Sequence, residues 1–254
     1  MIHKTLNEIK IIDCKGILIH ENPDPKRVKK IVDSLVKTNT LNDPLIVTRL
    51  KDKFVLLDGV NRLTSLQSLG VNHIPCQVVD YFTDRVELAN WSYICDAEVN
   101  FDRFPTRLSK HYFEPNGGIL ICQKNLYKKL QINDKKELVV ETNKILEKIA
   151  KTTYVRAFNV HAEDLIENQS AIIFPQIIKE DVIELSSNGL KFNAGITRHV
   201  IQDRILNFCF DLNFLKSNFS MAEKQKELEK RKQKILSQEE ARKYAETVIT
   251  ITET

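Results

Sequence analysis

The chain has 254 residues, 42% of them hydrophobic and 28% charged, with a formal net charge of +4. That length supports one large core or two small ones without covalent staples, and no apolar run is long enough to cross a bilayer. The weak positive charge permits anionic ligands without demanding nucleic acid. Five widely spaced cysteines (Cys14, Cys76, Cys95, Cys122, Cys209) with no Cys-x-x-Cys argue against a disulfide framework and a structural zinc site. With no apolar signal-peptide core near the N-terminus, a reducing cytoplasm is the expected location.

Residues 9–20 alternate short apolar runs (Ile9, Ile11, Ile12, then 17–19) with polar breaks, which predicts one or two strands ending at His20-Glu21. Asp24-Pro25 then has the order of an N-cap and a first helical residue. Val28, Ile31, Val32, Leu35 and Val36 mark one apolar face, and Lys26, Arg27, Lys29, Lys30 and Lys37 fill the rest. Glu21 closes a strand before a helix, a position where α/β layers meet ligands, and a carboxylate there can take a proton from an attacking hydroxyl; an exposed strand-end glutamate is the alternative.

Pro44–Thr48 and Phe54–Leu57 predict a hairpin around Lys51-Asp52-Lys53. Four apolar residues then run into Asp58-Gly59, and Val60, Leu63, Leu66 and Leu69 continue at helical spacing to Gly70. This strand–turn–helix is the most informative stretch of the chain. Gly59 has no Cβ and lets the backbone approach a ligand. The first helical N–H groups and the helix dipole favour an anion, and Arg62 adds a planar cation that can fork onto phosphate or carboxylate. An acid such as Asp58 beside an anion site hints at a divalent cation between them. The alternative is a plain Asp-Gly turn with a solvated arginine. Ile74–Val79 is the next strand, and its Pro75 suggests an edge or a strand start.

Asp84-Arg85-Val86-Glu87 has capping-box spacing and predicts a helix through Trp91 to about Ala97. Residues 100–118 read as loop-rich, residues 118–122 as a short strand, residues 137–150 as a helix, residues 171–174 as a strand, and residues 178–185 as a helix closed by Asn188-Gly189. In Phe192–Arg204 two arginines and a histidine fall among apolar residues. On an extended strand Arg198 and Arg204 would share a face and could clamp a carboxylate or phosphates; structural pairing with buried acids is the alternative. Ile205–Phe210 reads as a further strand. From Ser220 the composition turns to Lys, Glu, Gln and Arg, and Met221–Val248 predicts a long exposed helix: a docking or dimer-forming arm, or a tail.

Taken together, Glu21, Asp58-Gly59-Val60-Asn61-Arg62 and Thr197-Arg198-His199 resemble the ParB/sulfiredoxin-like free serine kinases. The likeness is nearest to the staphylococcal type that makes O-phospho-L-serine for the siderophore staphyloferrin B, and it runs over about residues 5–215. The resemblance implies an α+β chain: a ParB/sulfiredoxin-like nucleotide-binding domain (1–82), a mixed α/β substrate-binding domain (83–218) and a charged C-terminal helix or tail (219–254). It implies phosphoryl transfer from ATP or ADP to the hydroxyl of free L-serine, with Mg²⁺. Glu21 would be the base, Asp58 would serve catalysis and the metal, and Gly59, Val60, Asn61, Arg62 and Thr64 would bind the nucleotide phosphates. Trp91, Thr197, Arg198 and His199 would hold the amino acid. Where the family usually has His in the phosphate turn this chain has Asn61, which can orient a phosphate but cannot shuttle a proton. The expected partners are serine, nucleotide and, through the C-terminal helix, a second copy. The alternative is a ParB-like DNA-binding regulator, possible through the basic faces but not favoured, since no helix-turn-helix pair is evident.

Overall fold

The computed structural model describes residues 2–96, 99, 106–108, 117–123, 126–158, 160, 165–166, 168–238 and 240–242. The loop-rich stretch expected over 100–118 and the end of the helix expected to reach Val248 fall largely outside the described residues. The fold mixes helices and sheets throughout.

In chain order, α1 (Ile2–Leu6) leads to β1 (Ile9–Asp13) and β2 (Ile17–Leu18), then α2 (Pro25–Thr38), β3 (Thr40–Leu41), β4 (Leu45–Leu50), β5 (Lys53–Asp58), α3 (Val60–Ser68) and β6 (His73–Val78). Five of these strands form one mixed sheet in the order β1-β6-β4-β5-β2. Asp24 caps α2 as expected, its side chain accepting from the N–H groups of Lys26 and Arg27. The β4–β5 hairpin is antiparallel, whereas β2 runs parallel to β5 with Leu18 beside Val55. Pro75 is not on an edge: β6 lies between β1 and β4. Val79 donates to Val47 on the β4 side, and Pro75, an even number of residues away, faces that same side. The β4 ladder begins only at Cys76, so the missing N–H of Pro75 leaves no ladder bond unmade.

The second half contains β7 (Val86–Asn90), β8 (Ser92–Cys95), β9 (Thr106–Leu108), β10 (Gly118–Gln123), β11 (Leu126–Gln131), α4 (Lys135–Ile149), β12 (Tyr154–Ala157), β13 (Ser170–Ile173), α5 (Lys179–Ser187), β14 (Thr197–Ile201), β15 (Phe210–Asp211), α6 (Leu212–Lys216) and α7 (Met221–Ser237). Six strands make an antiparallel sheet, β12-β8-β13-β10-β11-β9, and β7 pairs with β14 separately. The helix expected over 84–97 is therefore two strands. Val86, Tyr93 and Cys95 are fully buried in a core that also takes Ile46, Val55 and Leu57 from the first sheet. β7 pairs along its length with a strand more than a hundred residues away, and β8 lies between β12 and β13; that long-range pairing overrides the local capping spacing. The strand expected over Ile205–Phe210 shrinks to β15, because Asn207 and Cys209 take left-handed backbone conformations that no strand holds.

The last helix is not the exposed arm the sequence suggests. Its apolar residues Leu228 and Ile235 are buried with Ile9, Ile11 and Leu45 against the first sheet, and Gln225 accepts from the N–H of Ile11 on the edge strand β1. Lys224 is only 2% exposed; its stem is buried and its ammonium donates to the carbonyl of Leu215 at 2.6 Å. Leu228→Ala should lower the unfolding free energy by about 2–4 kcal/mol, read from denaturant midpoints at constant slope. A loss below about 0.5 kcal/mol, the size of a surface change, would mean the helix is not seated there.

Candidate functional site

The site follows from the parallel pairing of β2 and β5. With Leu18 beside Val55, three more residues along each strand bring Glu21 and Asp58 out at the same end of neighbouring strands. Both line one cavity of about 900 Å³ at the carboxyl ends of these strands, the usual ligand position in open α/β sheets. Six basic side chains (Arg27, Lys30, Arg62, Arg156, Arg198, Arg204) line it against four acidic ones (Glu21, Asp24, Asp43, Asp58), a balance that suits an anionic ligand.

Glu21 is not an exposed strand-end residue. A parallel bridge to Phe192 holds its backbone, with Phe192 donating to the His20 carbonyl and Asn22 donating to that of Phe192. Gly195, at φ +104°, then turns the chain around the carboxylate. Oε1 accepts from Ile196 N (3.1 Å), Thr197 N (2.7 Å) and Thr197 Oγ1 (2.8 Å), and Oε2 accepts from Gly195 N (3.2 Å). Successive backbone N–H groups thus form a nest around one anion. The chain supplies Oε1 with three donors and Oε2 with one, which leaves Oε2 the better able to accept from a ligand.

The neighbouring strand, β5, ends at Asp58, and Gly59 opens α3 at φ +108°, with no side-chain cap on the helix. The first-turn N–H groups are free of any side-chain cap, which suits an anion. A Cβ on Gly59 would lie 3.1 Å from both Arg62 and Leu45, so glycine also meets a steric requirement here. Arg62 is spent within the chain: it pairs with Asp58 and donates to the carbonyls of Asp43 and Pro44, each at 3.0 Å. Arg204 approaches the same Asp58 oxygen at 2.7 Å. It lies beyond β14, past a turn at Asp203, so it does not share a strand face with Arg198 as the sequence spacing suggested. Asn61 Oδ1 accepts from Asp24 N at 2.7 Å and ties the starts of α2 and α3 together. Thr64, one turn further along α3, does not line the cavity.

The third wall carries aromatic rings and cations. Trp91 stacks on Phe158 at 4.0 Å between centroids, and the Arg198 guanidinium lies 5.1 Å from the Trp91 ring and 4.9 Å from the Phe158 ring. β7–β14 pairing sets Arg198 beside Ala89 and His199 beside Leu88. His199 Nε2 bonds the Tyr81 hydroxyl at 2.8 Å, and burial, with His20 nearby, pushes the His199 pKa down to about 3. It is a neutral hydrogen-bonding group at neutral pH, so the positive charge on this wall belongs to arginines. One of those, Arg156 of β12, has no counterpart in the sequence reading. Its guanidinium sits 5.5 Å from the Tyr93 ring, against the Gly195 turn, and among the described residues no carboxylate pairs with it. The only sequence signal was a single arginine inside the short run Tyr154–Ala157.

Glu21, Asp58, Gly59, Val60, Asn61, Arg62, Trp91, Thr197, Arg198 and His199 therefore meet in one cavity, while Thr64 does not. Among the described residues there is no group of three His, Cys, Asp or Glu side chains that could cage a metal.

No family model matches the chain. It is 30% identical over 83 residues to the ATP-dependent L-serine kinase of Desulfurococcus mucosus, an alignment that covers 32% of either chain; the chain thus spans about a third of that relative's length. It is 24% identical over 227 residues to the ATP-dependent L-serine kinase SbnI of Staphylococcus aureus, covering 83% of this chain and 85% of that one. The solved structure of C-terminally truncated SbnI superposes with a TM-score of 0.76 at 20% identity, over 92% of this chain and 98% of that one. A free serine kinase solved with ADP superposes with a TM-score of 0.67 at 18% identity, over 82% and 93%. These superpositions establish a shared fold, and the named relatives are those the sequence resemblance pointed to.

Proposed function

We propose that the chain is a free L-serine kinase, transferring a phosphoryl group from ATP or ADP to the serine hydroxyl to give O-phospho-L-serine. One observation carries the proposal: Glu21 and the Asp58-Gly59 turn leave neighbouring parallel strands into the same cavity. The names of the relatives over most of the chain support it. In this reading residues 1–82 are a ParB/sulfiredoxin-like unit holding the nucleotide, residues 83–218 hold serine, and the C-terminal helix closes the first core. The staphylococcal likeness implies that the product feeds siderophore synthesis.

Phosphoryl transfer asks a protein mainly for positioning and charge neutralisation. The uncapped start of α3 at Gly59, Val60 and Asn61 offers N–H groups to the donor phosphates. Arg204 and, from α2, Arg27 and Lys30 supply positive charge around them. Arg62 keeps Asp58 and the turn in place. Asn61 braces the two helix starts, a role that needs no proton transfer. Arg198, backed by Trp91 and Phe158, and Arg156 are the cations for the serine carboxylate. Glu21 Oε2 faces the serine hydroxyl and takes its proton as the new P–O bond forms and the bond to the leaving nucleotide breaks.

The donor set fits a Mg²⁺ that arrives on the nucleotide rather than a resident ion. Mg²⁺ keeps several waters and needs only one or two carboxylates beside phosphate oxygens. Asp58 would hold it, although its Oδ2 already accepts from two arginines. When bound, the ion neutralises phosphate charge.

The deciding experiment incubates the protein with Mg²⁺, ATP or ADP, and serine, threonine or homoserine, and identifies phosphoamino acid by ³¹P NMR and mass spectrometry. O-phosphoserine from serine is the expected product. Absence of product with both donors, with tight salt-sensitive DNA binding instead, would overturn the kinase reading in favour of the regulator.

A further inference from the structure

Beside Glu21 lies a histidine to which neither the sequence nor the resemblance gives a role. His20 is 4% exposed, and its Nε2 lies 2.9 Å from Thr197 Oγ1. The same hydroxyl donates its one proton to Glu21 Oε1 at 2.8 Å, since a carboxylate can only accept. Thr197 must therefore accept from His20. Nε2 carries the proton toward Thr197; Nδ1 is buried and makes no hydrogen bond, although the Leu56 carbonyl lies close to the ring. Burial lowers the His20 pKa, so the neutral ring supplies a hydrogen bond and no charge. The nearest other titratable ring, His199, meets it edge-on at 5.6 Å and points its own Nε2 at Tyr81.

We propose that His20 is a positioning residue for the base, acting through Thr197. By occupying the Thr197 hydroxyl as an acceptor it turns that hydroxyl into a fixed donor toward Oε1. Oε1 then has three donors and is committed to the chain, and Oε2 is the oxygen left to receive the serine proton. Without His20 the hydroxyl is free to rotate and the carboxylate to swing, and a base displaced by a fraction of an ångström loses rate rather than affinity. The inference rests on Glu21 being the base.

The test compares His20→Leu, which removes the donor at similar volume, with His20→Gln, whose amide restores one. His20→Leu is expected to lower kcat about 10-fold or more, with KM for serine and nucleotide changed less than about 2-fold. His20→Gln should recover most of the lost rate. Added to Glu21→Gln, His20→Leu should cost nothing more, because both act on one group. Equal losses in the Leu and Gln variants, wild-type kcat in the Leu variant, or multiplied losses in the double variant would overturn the proposal. If His20→Leu does not fold, His20→Met, which likewise has no side-chain donor, is held to the same expectation. Wild-type turnover in Glu21→Gln would instead overturn the base reading itself, whereas an inactive Glu21→Gln with an unaffected His20→Leu would overturn only the relay.

Discussion

Glu21→Gln is expected to remove most turnover, about 10²- to 10⁴-fold in kcat, while nucleotide affinity measured by calorimetry stays within about 2-fold. The substitution keeps the length and shape of the side chain. Its amide oxygen can still accept from Ile196, Thr197 and the Thr197 hydroxyl, so the loop keeps its anchor. The amide nitrogen then takes the place of Oε2, where it cannot accept a proton from serine and meets the N–H of Gly195 donor to donor. The Asp58-Gly59 turn lines the same cavity but shares none of these bonds. A variant that phosphorylates serine at the wild-type rate would exclude Glu21 as the base.

Gly195→Ala should be nearly as damaging, for a reason specific to this turn. At φ +104° a side chain strains the backbone by about 1–3 kcal/mol. The new methyl would also overlap the Arg156 guanidinium and come within 2.7 Å of the Tyr93 hydroxyl. Tyr93 is buried and donates to the Gly195 carbonyl, so it cannot yield. Arg156, a flexible chain, is what moves. Loss of stability should accompany a rise in KM for serine, and kcat/KM should fall about 100-fold. Thermal melts and steady-state kinetics separate the two effects. An unchanged KM for serine would place Arg156 outside the serine site.

These expectations depend on how far the residues disclose the structure. The strand–turn–helix at 53–68 and the Asp24 cap were legible because their causes are local: an apolar run, a glycine at the turn, a side chain reaching its own helix. That Glu21 and Asp58 share a cavity could be expected only through the family likeness; its physical cause is the pairing of β2 with β5. The region after Thr83 was misread because Asp84 and Glu87 imitate a capping box, while the partner that makes 86–90 a strand comes at 197–201. Arg156 went unnoticed for the same reason, since nothing near it in the chain resembles its neighbours in space. Arg62 was legible as a cation at the turn but not as one already spent on Asp58 and two carbonyls.

The return of α7 to the first sheet has a consequence for biosynthesis. Phe208, Phe210, Leu215, Leu228 and Ile235 finish a core begun by Leu6 and Ile9. A chain growing from its N-terminus therefore emerges from the ribosome with β1 uncovered, and an open strand edge beside bare apolar surface invites pairing with other nascent chains. Only after about residue 235 has been made does the molecule hold everything needed to close that edge, so premature release yields an aggregation-prone fragment rather than a smaller folded protein.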